Sequence, residues 1–394
     1  LFLAFRLLFV HIQLGDHYIY LARHMLQGQL SVDDVPKAYP DVITWHSHKY
    51  LPFGPLPSVL LIPTLPVLSL LGSNGIALMS DLFTLLNIFL IWRILSQMGI
   101  RDERRRWVVL LFFGGTVYFV AMFTGTSWYF AHVVTTTFLL LAVSEALGKK
   151  RMWLVGLFLG LAGMTRLTAL FALPFFLWLI WRPVETPAPD EEEALRPARR
   201  TGNIWLQYAA LLVALAACIA LLGIYNYLRF GDPLQNGYAL ATLSEVVLAQ
   251  ARAHGIFSLV HLPKNLFMLL LQGPVAYPDA NAPVLQWPYV QPSTWGMGLF
   301  FTTPALLYIF RARIKEPLVQ ACWLAVIFIM IPIVTYYGVG WVQFGYRYAL
   351  DFMPFLVLLA ALGLPKPMTP MSRVLILVSV LVSLWGSYWI TRWL

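Results

Sequence analysis

Apolar and polar residues do not alternate along this chain; the apolar ones run in blocks of membrane length. Residues 75–98, 107–123, 128–147, 204–227, 295–310, 317–337, 350–364 and 371–390 approach or reach the roughly 20 apolar residues that cross a bilayer as a helix. A further apolar stretch, 1–10, opens the chain and reads as the tail of a first membrane helix. Residues 152–164 and 167–181 are each too short for a relaxed crossing, and Arg166 lies between them. They predict a broken helix or a tight helical hairpin, and irregular backbone at depth survives only where protein or a cavity lines it. Residues 18–27 differ: Tyr18, Leu21, Ala22, Met25 and Leu26 share one helical face, and Arg23, His24 and Gln27 the other. Such a helix lies flat on a membrane. The fold expected is all-α, a polytopic transmembrane bundle of about ten or more helices, with amphipathic juxtamembrane helices in the first external loop.

Composition agrees. Of 394 residues 59% are hydrophobic and only 11% charged, against about 25% charged in soluble domains. The net charge of +9 changes the picture only through its placement. Basic residues cluster at 101–106, 149–151, 196–200, 311–315 and 366–373, which assigns those segments to the cytoplasm. Short clusters at membrane edges are not the single basic face that nucleic acid needs. Alternation through the spans then puts the loops 13–54, 124–127, 230–294 and 338–349 on the external side, and 183–203 reads as a cytoplasmic linker. Helical patterns occur inside the long loop, around 238–251 and 256–271. Alternation also requires an odd number of crossings between the first loop and Arg101. Residues 52–71 carry Pro52, Pro55, Pro57, Pro63 and Pro66, so they are re-entrant or interfacial, or the rule fails at one cluster. Cys218 and Cys322 both lie in apolar blocks, which argues against a disulfide framework. The chain lacks an initial Met and starts in mid-helix, so part of a natural N-terminus is read as missing. No soluble C-terminal domain is expected after 371–390.

Chemistry is expected where ionisable groups meet the membrane. Asp16, heading the amphipathic helix, is either its N-cap or a carboxylate acting as general base or holding a metal. In the same loop, His46 and His48 with a nearby Asp suit a divalent metal, though loop histidines are more often simply solvated. Lys49 is a point cation placed for a phosphate or merely snorkelling. Arg166 at membrane depth costs some 2.5–3.5 kcal/mol on insertion scales. Its partner is therefore a helix-end carbonyl, Asp81 or a ligand phosphate. Late in the chain, Tyr346, Arg347 and Tyr348 enter a span together. An Arg fork matches phosphate oxygens, and the tyrosines can stack on a sugar or line a lipid groove. Anchoring at the interface is the plainer alternative.

Together these segments resemble the C-type (GT-C) glycosyltransferases, polytopic enzymes that use polyprenyl-phosphate-linked sugars. The resemblance rests on the order of GDHYIYLARHMLQGQL, HKYLPFGPLPSVLL, GLFLGLAGMTRLTALFALP, NYLRFGDPLQNGY and FGYRYALDFMPFL. It covers most of the chain in layout. It implies one transmembrane unit over 1–394, with Asp16 as catalytic base or metal-linked carboxylate. By the same resemblance Lys49 would face the lipid phosphate, and Arg347 and Tyr348 match the family's late Arg-Tyr pair; read from the residues themselves, Arg166 joins Lys49 and Arg347 as a donor-phosphate binder, and His17 and Tyr346 join Tyr348 as substrate-binding candidates. His46 and His48 would be the weak metal candidates. A sugar would pass from a polyprenyl-phosphate carrier to a glycan, lipid or protein acceptor, on the external face of a plasma membrane. A transporter or lipid flippase would also carry intramembrane charges, although no internal repeat is visible. A non-catalytic assembly subunit is the other alternative.

Overall fold

Only helices satisfy every backbone N–H and C=O within an apolar segment, and helices make up most of the chain. The computed structural model describes residues 15–36, 39–71, 75–185, 196–197, 202–241, 246–278, 284–340 and 342–393. The opening apolar stretch 1–10 and most of the 183–203 segment lie outside the described residues. After a short helix α1 (His17–Leu26) comes a hairpin of β1 (Ile43–Trp45) and β2 (His48–Tyr50). The helical series then begins: α2 (Gly75–Gln97), α3 (Asp102–Gly114), α4 (Val117–Thr124), α5 (Ser127–Leu147), α6 (Met152–Thr165), α7 (Leu173–Trp181) and α8 (Ile204–Phe230). Later come α9 (Pro317–Thr335), α10 (Met353–Gly363) and α11 (Pro370–Trp393).

Among the described residues, α2, α5, α8, α9 and α11 are long and apolar enough to cross a membrane. The pair α3 and α4 makes a sixth if counted as one span bent by 53°. Thr116 builds that bend: its hydroxyl donates to the Phe112 carbonyl at 2.9 Å and accepts from the Tyr118 N–H at 3.1 Å. The remaining apolar helices are shorter.

Proline explains the largest departures from the expected spans. Residues 295–310 are not one helix. A short strand β3 (Trp295–Met297) is followed by one helical turn, Leu299–Thr302, and a 3₁₀ helix, Pro304–Arg311. Pro304 drives Thr303 out of the helical region, to φ −138° and ψ 73°, as the residue before a proline must go. The block 350–364 starts as a 3₁₀ turn, Arg347–Asp351, and becomes α-helical only at Met353 with Pro354 in its first turn. Residues 56–71 form short helical pieces rather than a span. Hence α2 is the one segment of crossing length between Asp16 and Arg101 among the described residues.

Hydrogen bonds gather the loops at one end. Ser127 N–H reaches the Gly15 carbonyl at 2.9 Å, and Trp128 Nε1 reaches Asp41 at 2.6 Å. Arg229, at the end of α8, donates to the Leu51 carbonyl at 2.7 Å. Lys264 of the long loop donates to the Tyr337 carbonyl at 2.9 Å. The basic segments meet elsewhere: Arg373 pairs with Glu103 at 2.5 Å, and Lys150 donates to the Val184 carbonyl at 3.0 Å. A parallel pairing of β3 with β4 (Gln343–Gly345) carries the chain into Tyr346 and Arg347.

Candidate active site

Asp16 occupies the N-cap position of α1, yet its side chain makes no capping hydrogen bond. The carboxylate is therefore not committed to the helix end, where an Asp usually acts. The turn around it is built from the main chain. Gly15 adopts φ +117°, and a Cβ there would lie 2.8 Å from the Thr126 side chain. The Asp16 N–H donates to the Tyr39 hydroxyl at 2.9 Å. Partial burial pushes the Asp16 pKa up to about 6, against a smaller opposing pull from Arg23. A carboxylate poised there is ionised at neutral pH yet basic enough to accept a proton.

His17 is fully buried. Its Nε2 bonds the Pro40 carbonyl at 2.9 Å, and Tyr39, Trp128 and Phe53 enclose the ring at centroid distances of 4.6, 5.1 and 5.3 Å. Burial lowers its pKa, so the ring stays neutral. His46 sits in the tight turn between β1 and β2 at φ 48°, stacked on Trp45 at 4.5 Å. His48 bonds Asp33 at 2.9 Å. Among the described residues, no group of three or more His, Cys, Asp or Glu side chains could hold a metal ion. Among the described residues, the donor set around His46 and His48 does not fit a metal centre. Lys49, on β2, donates its ammonium to the Val35 carbonyl at 3.0 Å. That partner is neutral; the neighbouring carboxylate, Asp33, accepts from the Lys49 backbone N–H at 2.7 Å.

The break between α6 and the helical turn after it is where the chain places Arg166, in extended conformation at φ −144° and ψ 116°. Arg166 Nε donates to both oxygens of Asp351, at 2.8 and 3.0 Å. Neither Asp81 nor a helix-end carbonyl, both expected candidates, fills this role; the partner is a carboxylate 185 positions away. Asp351 also bonds His132 Nδ1 of α5 at 2.8 Å and accepts from the Thr168 hydroxyl. These bonds satisfy a carboxylate that is only 1% exposed, as a buried charge requires. No local pattern in the sequence marks His132, Thr168 or Asp351 as members of one site.

Tyr348 joins the two arginines. Its ring lies 5.6 Å from the Arg166 guanidinium and 5.4 Å from that of Arg347. Arg347 also faces Tyr129 at 5.9 Å, and its backbone N–H is held by the Gln343 side chain at 3.2 Å. No carboxylate among the described residues pairs with Arg347. Tyr346 is buried, and its hydroxyl has no hydrogen-bond partner among the described residues. The cluster thus holds one arginine balanced by Asp351 and one balanced only by aromatic rings, an arrangement suited to an anion.

The first loop seats on this cluster. Gly54 approaches the end of α6 so closely that a Cβ would lie 2.1 Å from the Met164 carbonyl. Tyr18, buried two positions after Asp16, lies within electrostatic reach of Arg166. Gly54→Ala is expected to push the loop off the helix break and cost about 1–3 kcal/mol, as overpacking does. Thermal unfolding of the detergent-solubilised variant checks this; an unchanged midpoint would show that the close approach is not required.

No described protein family and no curated protein matches the chain. Among solved structures, ArnT from Cupriavidus metallidurans, bound to undecaprenyl phosphate, aligns with a TM-score of 0.53 at 16% identity, covering 96% of this chain and 61% of that one. The oligosaccharyltransferase of Archaeoglobus fulgidus in its apo form aligns with a TM-score of 0.49 at 12% identity, covering 99% of this chain and 55% of that one. The chain therefore spans less than two thirds of the length of either. At this identity the likeness to ArnT shows a shared fold, a polytopic helical membrane fold of the kind that the sequence resemblance implies.

Proposed function

We propose that the chain is an integral-membrane glycosyltransferase that moves a sugar, hexosyl or pentosyl, from a polyprenyl-phosphate carrier to a glycan, lipid or protein acceptor. The observation that carries the reading is Asp16, a carboxylate that heads a helix without capping it and is tuned to about 6. The fold shared with ArnT, solved with undecaprenyl phosphate bound, supports a polyprenyl-phosphate donor. In the proposed reaction the acceptor hydroxyl oxygen bonds to the anomeric carbon and its proton passes to Asp16. The bond between that carbon and the carrier phosphate oxygen breaks, and polyprenyl phosphate leaves with the electron pair. Arg347 is the main counter-charge for the phosphate, because Asp351 already neutralises most of Arg166. Arg166 and Lys49 add to the field, and preorganised cations aimed at developing charge are often the largest catalytic term. His17, being enclosed, would act by fixing the turn that carries Asp16, and Tyr346 and Tyr348 by lining the sugar or lipid path. The site would face the external side of a plasma membrane, with the loops 13–54 and 230–294 over it and the linker 183–203 in the cytoplasm.

The test is turnover of a panel of polyprenyl-phosphate sugars by the purified chain, read as release of polyprenyl phosphate. A folded protein that turns over none of them, but moves lipid across liposomes, would be a flippase instead. The pH profile adds a second check. Asp16 is protonated below about 6 and cannot then accept a proton. Hence kcat/KM is expected to fall about tenfold per pH unit on the acid side of that value. A flat profile between about pH 5 and pH 7 removes Asp16 as the base.

A further inference from the structure

One segment of the long loop is covered poorly by the rest of the chain. Strands Val275–Pro278 and Leu285–Gln291 pair antiparallel into a sheet of two strands among the described residues. Such a hairpin is marginal in water unless something packs on it. Leu285, Trp287, Tyr289 and Val290 are all exposed, Trp287 to 75%. Charge is scarce as well: between 275 and 291 the one charged residue is Asp279, which lies outside the described residues. The neighbouring helix points to what covers this surface. Along α11, Val374, Leu377, Leu381, Leu384 and Tyr388 are exposed at steps of three and four, which is one continuous helix face. An uncovered apolar face on a helix of crossing length meets lipid. The helix starts inside the basic segment 366–373 and runs to Trp393, so Tyr388 lies near the opposite membrane surface. There the Arg392 guanidinium sits over the Tyr388 ring at 5.1 Å, and Tyr277 of the hairpin meets Trp389 edge-on at 5.0 Å. The hairpin therefore continues the lipid-facing stripe at the level where Trp and Tyr rings collect. It stops short of the hydrocarbon core, because the outer edges of a two-stranded sheet carry N–H and C=O groups that hydrocarbon cannot satisfy.

We propose that the 275–291 hairpin is a membrane-surface anchor, seated at the headgroup boundary of the leaflet where α11 ends, with Leu285, Trp287, Tyr289 and Val290 among the lipids. The anchor does not depend on the glycosyltransferase reading. The test places a nitroxide on Trp287→Cys in the full chain, in nanodiscs of phosphatidylcholine and phosphatidylglycerol. Power saturation then reads its collisions with oxygen and with a water-soluble nickel chelate. Cys218 and Cys322 are buried, and wild type carried through the same labelling measures their background. Lys149→Cys, in the exposed turn after α5, is the water reference, and Leu381→Cys, on the exposed face of α11, the lipid reference. Tyr289→Cys repeats the measurement at a second position, so that a folding failure of one variant does not decide the outcome. The expected result is a depth of about 5–10 Å below the membrane surface at both hairpin positions, between the two references. Nickel collision at both positions equal to that at Lys149→Cys overturns the proposal. Shielding that comes with spin–spin broadening, and disappears when labelled protein is diluted with excess unlabelled chain, also overturns it, since a second copy would then be the cover.

Discussion

Asp16→Asn is expected to lower sugar transfer by about 10²–10⁴-fold, the usual contribution of a positioned general base, while the protein stays folded. The two halves of that expectation have separate grounds. Asparagine keeps the shape of the side chain but cannot accept the acceptor's proton. The fold loses nothing obvious, because the carboxylate makes no capping bond and the turn is held by Gly15, Tyr39 and Ser127 through main-chain groups. The sign of the pKa shift points the same way. A carboxylate raised from 3.8 to about 6 by burial contributes stability that is complete below the unfolded value and lost as pH rises through the folded one. At neutral pH the ionised group therefore gives no net support, and the neutral amide is expected to leave the thermal midpoint equal or higher. Initial rates of polyprenyl-phosphate release, with the midpoint measured on the same preparation, check both halves. A variant within about tenfold of wild type would show that another group takes the proton.

Part of this architecture is legible in the amino-acid sequence, and the rest is hidden there for physical reasons. Length and apolarity mark α2, α5, α8, α9 and α11, because a crossing helix is a local property of about 20 residues. The break at Arg166 is legible too, since two short apolar blocks around a charge are incompatible with one relaxed span. Asp16 stands out because an acid at the head of an amphipathic helix is conspicuous. What stays hidden depends on distant pairing. The Asp351 carboxylate sits inside the motif FGYRYALDFMPFL, but only the fold brings it to Arg166 and His132. The 295–310 block is apolar enough to pass as a span, and Pro304 breaks it. His17 is conspicuous beside Asp16, yet only the packing of Tyr39, Phe53 and Trp128 around it shows an enclosed ring. Lys49 and the two loop histidines are likewise legible as residue types but not as partners: Lys49 meets a carbonyl, His48 meets Asp33, and His46 lies on Trp45.

The pairing of Arg166 with Asp351 yields the second large effect, and a double-mutant cycle separates structure from chemistry. Asp351→Leu is expected to destabilise the protein by about 3–5 kcal/mol, because it leaves the Arg166 charge buried without its counter-ion. Arg166→Leu is expected to cost a similar amount, leaving Asp351 with only His132 and Thr168 as donors. Replacing both charges removes the uncompensated ion in each single variant, so the double variant is expected to recover most of the lost stability. Activity need not follow. If Arg166 serves only to hold the fold, turnover should return with the thermal midpoint. If Arg166 also contributes to the field on the donor phosphate, the double variant should fold well and still turn over poorly, with a raised KM for the donor. Recovery of both stability and turnover would confine Arg166 to a structural role and leave Arg347 as the principal cation for the phosphate. Recovery of stability alone would put both arginines on the phosphate and make Asp351 the residue that keeps one of them correctly aimed across the break between α6 and α7.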